Sequence, residues 1–134
     1  MEGFILSISA AKYASRVGLV IRMLRALMSV DQEVLAKSAN MSRPTLARLE
    51  TMRKVETFKP DTLEALLGTF RRMDIEINFG DEFLDVKVPM GLLDLAAEKR
   101  GFDESSYKPH AHPELHKEQL IEALLGSVYK NYTR

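Results

Sequence analysis

The sequence predicts a mainly α-helical protein in which a bundle of helices is followed by a short β strand or hairpin and then by C-terminal helices. Three observations carry this. Between Ser9 and Met73 the apolar residues recur every three or four positions, the spacing that lines one face of a helix. At Ile75 the period falls to two, and from Met90 the helical spacing returns.

Ala11, Ala14, Val17, Val20, Ile21, Leu24, Leu27 and Met28 form the first stripe, one long helix or two abutting ones. Ser29-Val30-Asp31 breaks it, and Asp31 is placed to cap a short second helix with Val34, Leu35 and Ala39 behind it. Asn40-Met41-Ser42 is a tight polar break. Ser42 then caps a third helix whose proline, Pro44, lies in the first turn, where a missing N–H is harmless. Leu46 and Leu49 face inward from it. Lys59-Pro60-Asp61 starts a fourth helix through Leu63, Leu66, Leu67 and Phe70, ending near Met73.

Ile75-Glu76-Ile77-Asn78-Phe79 alternates strictly and reads as a strand, Gly80-Asp81-Glu82 as a turn, and Phe83 to Val88 as its hairpin partner. Pairing within the chain and pairing with a second copy are both open at this point. Pro89 ends the hairpin, Met90 to Lys99 is helical, and Gly101 is a helix stop. Residues 101 to 113 read as a loop. Glu114 to about Lys130 reads as a last helix with Leu120, Ile121, Leu124, Leu125 and Val128 on one narrow face. The expected division is a helical domain over 1–73 and a strand-plus-helix region over 74–134, with Leu120, Leu124 and Val128 as dimerisation candidates.

The 134 residues can bury a core without staples, and the absence of cysteine removes disulfides and thiolate metal sites. No apolar run approaches the roughly 20 residues of a membrane span. The first residues do not read as a signal peptide, so a cytoplasmic protein is expected. Net charge is zero, but residues 1–59 hold ten basic and five acidic side chains, a net of +5, and residues 60–134 hold nine and fourteen, a net of −5. Such asymmetry fits a first half that faces phosphate.

Residues 32–50 carry the functional signal. Two short helices are joined by a tight turn, with small Ala36 where they cross, which is the geometry of a helix-turn-helix. The second helix offers Arg43, Thr45, Ala47 and Arg48 outward, and arginine pairs bidentately with guanine in the major groove. Gln32, Leu35-Ala36, Ala39, Ser42, Thr45-Leu46 and Leu49-Glu50 resemble the lambda-repressor-like, Cro-type (xenobiotic-response-element) helix-turn-helix family over roughly residues 15 to 73. The resemblance implies a five-helix-type DNA-binding bundle and a transcriptional regulator, a homodimeric repressor or autoregulator on a palindromic operator in double-stranded DNA. It implies base reading by Arg43 and Arg48, with Pro44 and Thr45 touching a thymine methyl or the backbone. Gln32 would contact a phosphate and brace the recognition helix, with Ser42 fixing the docking. Arg25 and Glu50 match a family pair that forms an internal ion pair. Arg53, Lys54 and Lys59 are candidates for phosphate contact, with plain solvation the equal alternative.

The chain departs from the family in two places. Thr51-Met52-Arg53-Lys54 stands where a turn such as Asn-Gly is usual, so the third helix is expected to run longer. Pro44 replaces a commonly polar base-reading side chain, which makes readout there apolar or absent. Some family members, antitoxins among them, follow the bundle with a strand that pairs with its twin. Ile75, Ile77 and Phe79 are therefore dimerisation candidates, and a toxin is an alternative partner. A protein-interaction or ligand-sensing module without DNA binding is the alternative from another class.

His110, His112 and His116 beside Glu114 could place two imidazoles on one helical face, but Pro113 makes His112 an entry residue and the cluster reads as solvated. No metal or cofactor is expected. With no cysteine nucleophile, Gly-rich phosphate loop or Ser-His-Asp set, catalysis is not expected either.

Overall fold

A computed structural model describes residues 9–106. The histidine cluster and the expected last helix with Leu120, Leu124 and Val128 lie outside the described residues. Helix α1 (Ala10–Met28) is one continuous 19-residue helix, which decides between the two readings of its stripe. Ser9 opens it by accepting the Lys12 amide at 3.0 Å. At its end Ser29 takes the left-handed conformation (φ 54°), and the Val30 amide returns to the Arg25 carbonyl at 3.0 Å. Lys99 and Arg100 close the same end from a distant helix. Arg100 Nη2 donates to the Ala26 carbonyl at 2.6 Å and Lys99 Nζ to that of Ser29 at 3.1 Å, cations placed where the helix dipole favours them.

Helix α2 (Gln32–Ser38) packs on α3 (Arg43–Glu50) and α4 (Pro60–Arg71), and these two, with a 3-10 turn at Val55–Thr57, pack around α1. Val17, Ile21, Leu24, Leu35, Leu46, Leu49, Leu66, Leu67 and Phe70 are all essentially sealed from solvent. Each such side chain contributes roughly 1.5–3 kcal/mol of burial. Two expectations about α2 fail. Asp31 has the extended backbone of an N-cap but makes no capping bond, its carboxylate acting instead through space on Arg25. Val34 is 59% exposed, because a seven-residue helix wedged between α3 and α4 has only Leu35 and Ala36 on its buried side.

The third helix does not run on. It stops at Glu50, where the Arg53 amide returns to the Arg48 carbonyl at 2.8 Å with Met52 at φ 62° in the position glycine usually holds. Lys54 is also left-handed, at φ 50°. Neither residue type announces this backbone. The reversal is held by packing, since the Met52 methyl lies over Gly18 of α1.

Beyond α4 the chain forms a two-stranded antiparallel hairpin, β1 (Glu76–Phe79) and β2 (Leu84–Lys87), with Ile77 opposite Val86 and Phe79 opposite Leu84. The strand thus pairs within the chain. Ile75 and Ile77 are 1% and 2% exposed in the same core as the helices, and Phe79 meets Tyr13 edge-on at 5.6 Å. Side chains expected to meet a second copy are therefore packed inside this one. For the same reason the change of period at Met73 is a change of element and not of core: the first compact unit continues through α5 (Met90–Lys99) to Phe102. The second, from Asp103, is described only through a 3-10 turn at Glu104–Ser106, where Asp103 Oδ1 accepts the Ser105 amide and hydroxyl. No helix among the described residues is long and apolar enough to cross a membrane.

Candidate nucleic-acid interface

The geometry of the α2–α3 pair begins with small residues. Ala36 is buried where α2 meets α3, and the Met41 amide donates to its carbonyl at 2.9 Å. Asn40, at φ 58°, turns the chain between the helices, a conformation asparagine tolerates better than other side-chain-bearing residues. On the other side, α1 approaches α3 so closely that a Cβ at Gly18 would lie 2.6 Å from the Leu49 carbonyl oxygen. A glycine in mid-helix on the buried stripe is the available sign of that approach.

A buried carboxylate locks the pair. Glu50, 3% exposed, accepts Arg25 Nε at 2.8 Å, Arg25 Nη2 at 2.7 Å and Gln32 Nε2 at 3.0 Å. Arg25 spends a further donor on the Val30 carbonyl at 3.2 Å. Hydrogen bonding to Glu50 pushes the Arg25 pKa up against a smaller, opposing effect of burial. One carboxylate therefore ties the end of α3 to α1 and to the first residue of α2. Gln32 keeps its second amide hydrogen and its carbonyl oxygen for another partner. It faces a polar notch lined also by Arg25, Asp31, Glu33 and Arg43.

The start of α3 is open to solvent. Ser42 Oγ accepts the Thr45 amide at 3.3 Å and shares a hydrogen with the Thr45 hydroxyl at 2.8 Å. Both hydroxyls first serve the cap, with one hydroxyl proton left over. Arg43 and Pro44 stand exposed in the first turn, while Leu46 and Leu49 are fully buried beneath. Arg48, one turn on, is half-buried with its guanidinium carbon 5.3 Å from the centre of the Phe58 ring. Stacking of this kind holds the guanidinium plane and leaves its edge donors available. Phe58 has no place in the sequence reading, since the 3-10 turn that carries it beneath Arg48 has no sequence period. Arg53, Lys54 and Lys59 are exposed on the segment that leaves α3. Of the expected site residues, Gln32, Ser42, Arg43, Pro44, Thr45 and Arg48 lie on α2, α3 and the turn between them, whereas Arg25 and Glu50 form the clamp behind.

No protein-family model, curated protein or solved structure matches this chain.

Proposed function

We propose that the protein is a sequence-specific, double-stranded DNA-binding regulator of the lambda-repressor-like kind, acting as a homodimer on a palindromic operator. The observation that carries the reading is the clamp. Arg25, Gln32 and Glu50 hold α2 and α3 at one angle, so that the solvent-exposed start of α3 presents Arg43 on a rigid support. A recognition helix enters the major groove by its N-terminal residues. Arg43 and the stacked Arg48 read base edges there. Gln32, in the notch beside Arg43, takes a phosphate, while Arg53, Lys54 and Lys59 take others.

Titration of fluorescent duplex DNA at several salt concentrations tests this. Three phosphates neutralised in each protomer make six in a dimer, and the affinity should fall with salt at a log–log slope of about −5. Arg43→Ala/Arg48→Ala should abolish preference among sequences while most of that slope survives. A salt-independent affinity, or no binding at low salt, would overturn the reading.

A further inference from the structure

The hairpin has two edges, and they differ. Its turn through Asp81 and Glu82 is closed by the Gly80 amide donating to the Phe83 carbonyl at 2.9 Å. In an antiparallel ladder hydrogen-bonded pairs alternate with non-bonded ones. Continuing that alternation through the register, Asn78/Asp85 and Glu76/Lys87 exchange bonds, whereas Ile77 and Phe79 on β1 and Leu84 and Val86 on β2 point their amides and carbonyls outward. On β1 one of these groups is taken: Arg71 Nη2 donates to the Ile77 carbonyl at 3.0 Å, and Glu64 holds Arg71 at 3.1 Å, which sets a charged side chain across that edge. On β2 no group among the described residues reaches the outward amide or carbonyl of Leu84 or Val86.

We propose that the outer edge of β2 pairs antiparallel with β2 of a second copy about a two-fold axis through Val86. The charge order of the strand supports this occupant. In a pairing centred on Val86, Asp85 of each copy faces Lys87 of the other, and Leu84 faces Val88. Both charged pairs are attractive, and opposite charges directly across strands stabilise pairing. The outward groups of Val86 then bond to themselves across the axis, which a symmetric interface requires. Pro89 does not interfere, because position 89 points toward β1 in this alternation. Apolar surface gathers at the turn end of the same strand: Phe83 is 76% exposed, Leu84 44% and Leu19 58%, around one shallow groove between the hairpin turn and α1. Exposed apolar groups gathered beside an open strand edge mark an interaction surface. The proposal gives the homodimeric reading above its surface. It rests on that reading for the second copy alone, and its test contains no DNA, so either can fail without the other.

Sedimentation velocity on the full chain tests it. The wild-type protein should be a dimer, and Asp85→Lys or Lys87→Asp alone should weaken dimerisation about tenfold or more, since each turns both charge pairs repulsive. Lys87 also lies 3.9 Å from Glu76 within the hairpin, so circular dichroism accompanies each variant to establish folding. The deciding sample is a 1:1 mixture of the two variants. Positions 85 and 87 are then both lysine in one chain and both aspartate in the other, both pairs across the two-fold interface are attractive again, and the dimer returns. A monomeric wild type, dimers indifferent to both charge reversals, or a mixture that stays monomeric would each overturn the proposal.

Discussion

Replacing Glu50 with glutamine keeps the volume of the clamp and removes its charge. Three donors converge on the two carboxylate oxygens at 2.7 to 3.0 Å. In Glu50→Gln one of those oxygens becomes an amide that donates, so at least one Arg25 or Gln32 hydrogen faces another hydrogen. Breaking a buried ion pair costs about 3–5 kcal/mol. Arg25 keeps 22% of its side-chain exposure and can recover some hydration, so the loss expected here is about 2–3 kcal/mol. With a urea m-value of about 1.5–2 kcal/mol/M, the unfolding midpoint should fall by about 1–2 M. DNA affinity at a concentration of urea where both proteins are folded should fall as well, because α3 loses its tie to α2. A Glu50→Gln protein within about 0.5 kcal/mol of wild type would refute the argument, for that is the scale of an ordinary surface substitution.

Gly18→Ala puts a methyl 2.6 Å from the Leu49 carbonyl oxygen, where ordinary contact begins at 3.4 Å. The clash is with backbone, which cannot swing aside, so overpacking in the upper part of its usual range, about 2–3 kcal/mol, outweighs the gain of about 1 kcal/mol in helix propensity, and a urea titration should show a net loss of about 1–2 kcal/mol. Tyr13 has its pKa raised above 10.0 by burial first and then by the Glu64 carboxylate. The folded state thus holds that proton more tightly than the unfolded chain. The stability from this source is full below pH 10 and disappears as pH rises through the folded value, so melting temperatures from about pH 9 to 11.5 should fall more steeply for wild type than for Tyr13→Phe.

The helices are legible because their burial is one-sided: Val17, Ile21 and Leu24, or Leu63, Leu67 and Phe70, print the core onto the sequence at helical spacing. Ser9 does not stand out as a cap, yet it caps α1, whereas Asp31 looks like a cap and is not one. Capping depends on a side-chain rotamer, which residue type alone does not fix. The turn after α3 is hidden because Met52 and Lys54 adopt a conformation that glycine or asparagine would have announced, and tertiary packing supplies what the residue type does not. Alternation in Ile75–Phe79 locates a strand but does not say whose core its side chains fill. The Arg25–Glu50 pair is expected through the family resemblance alone, since 25 residues of separation carry no local signal. Phe58 beneath Arg48, and Arg71 on the β1 edge, are meetings of distant segments that no spacing rule reveals.

Selection of bound duplexes from randomised and genomic DNA, followed by sequencing, with wild-type protein beside Arg43→Ala/Arg48→Ala, tests most directly that the exposed start of α3 reads sequence. A short palindrome should be enriched by the wild type and lost by the double variant. Enrichment of the same palindrome by both proteins, or of none by either, would contradict that reading.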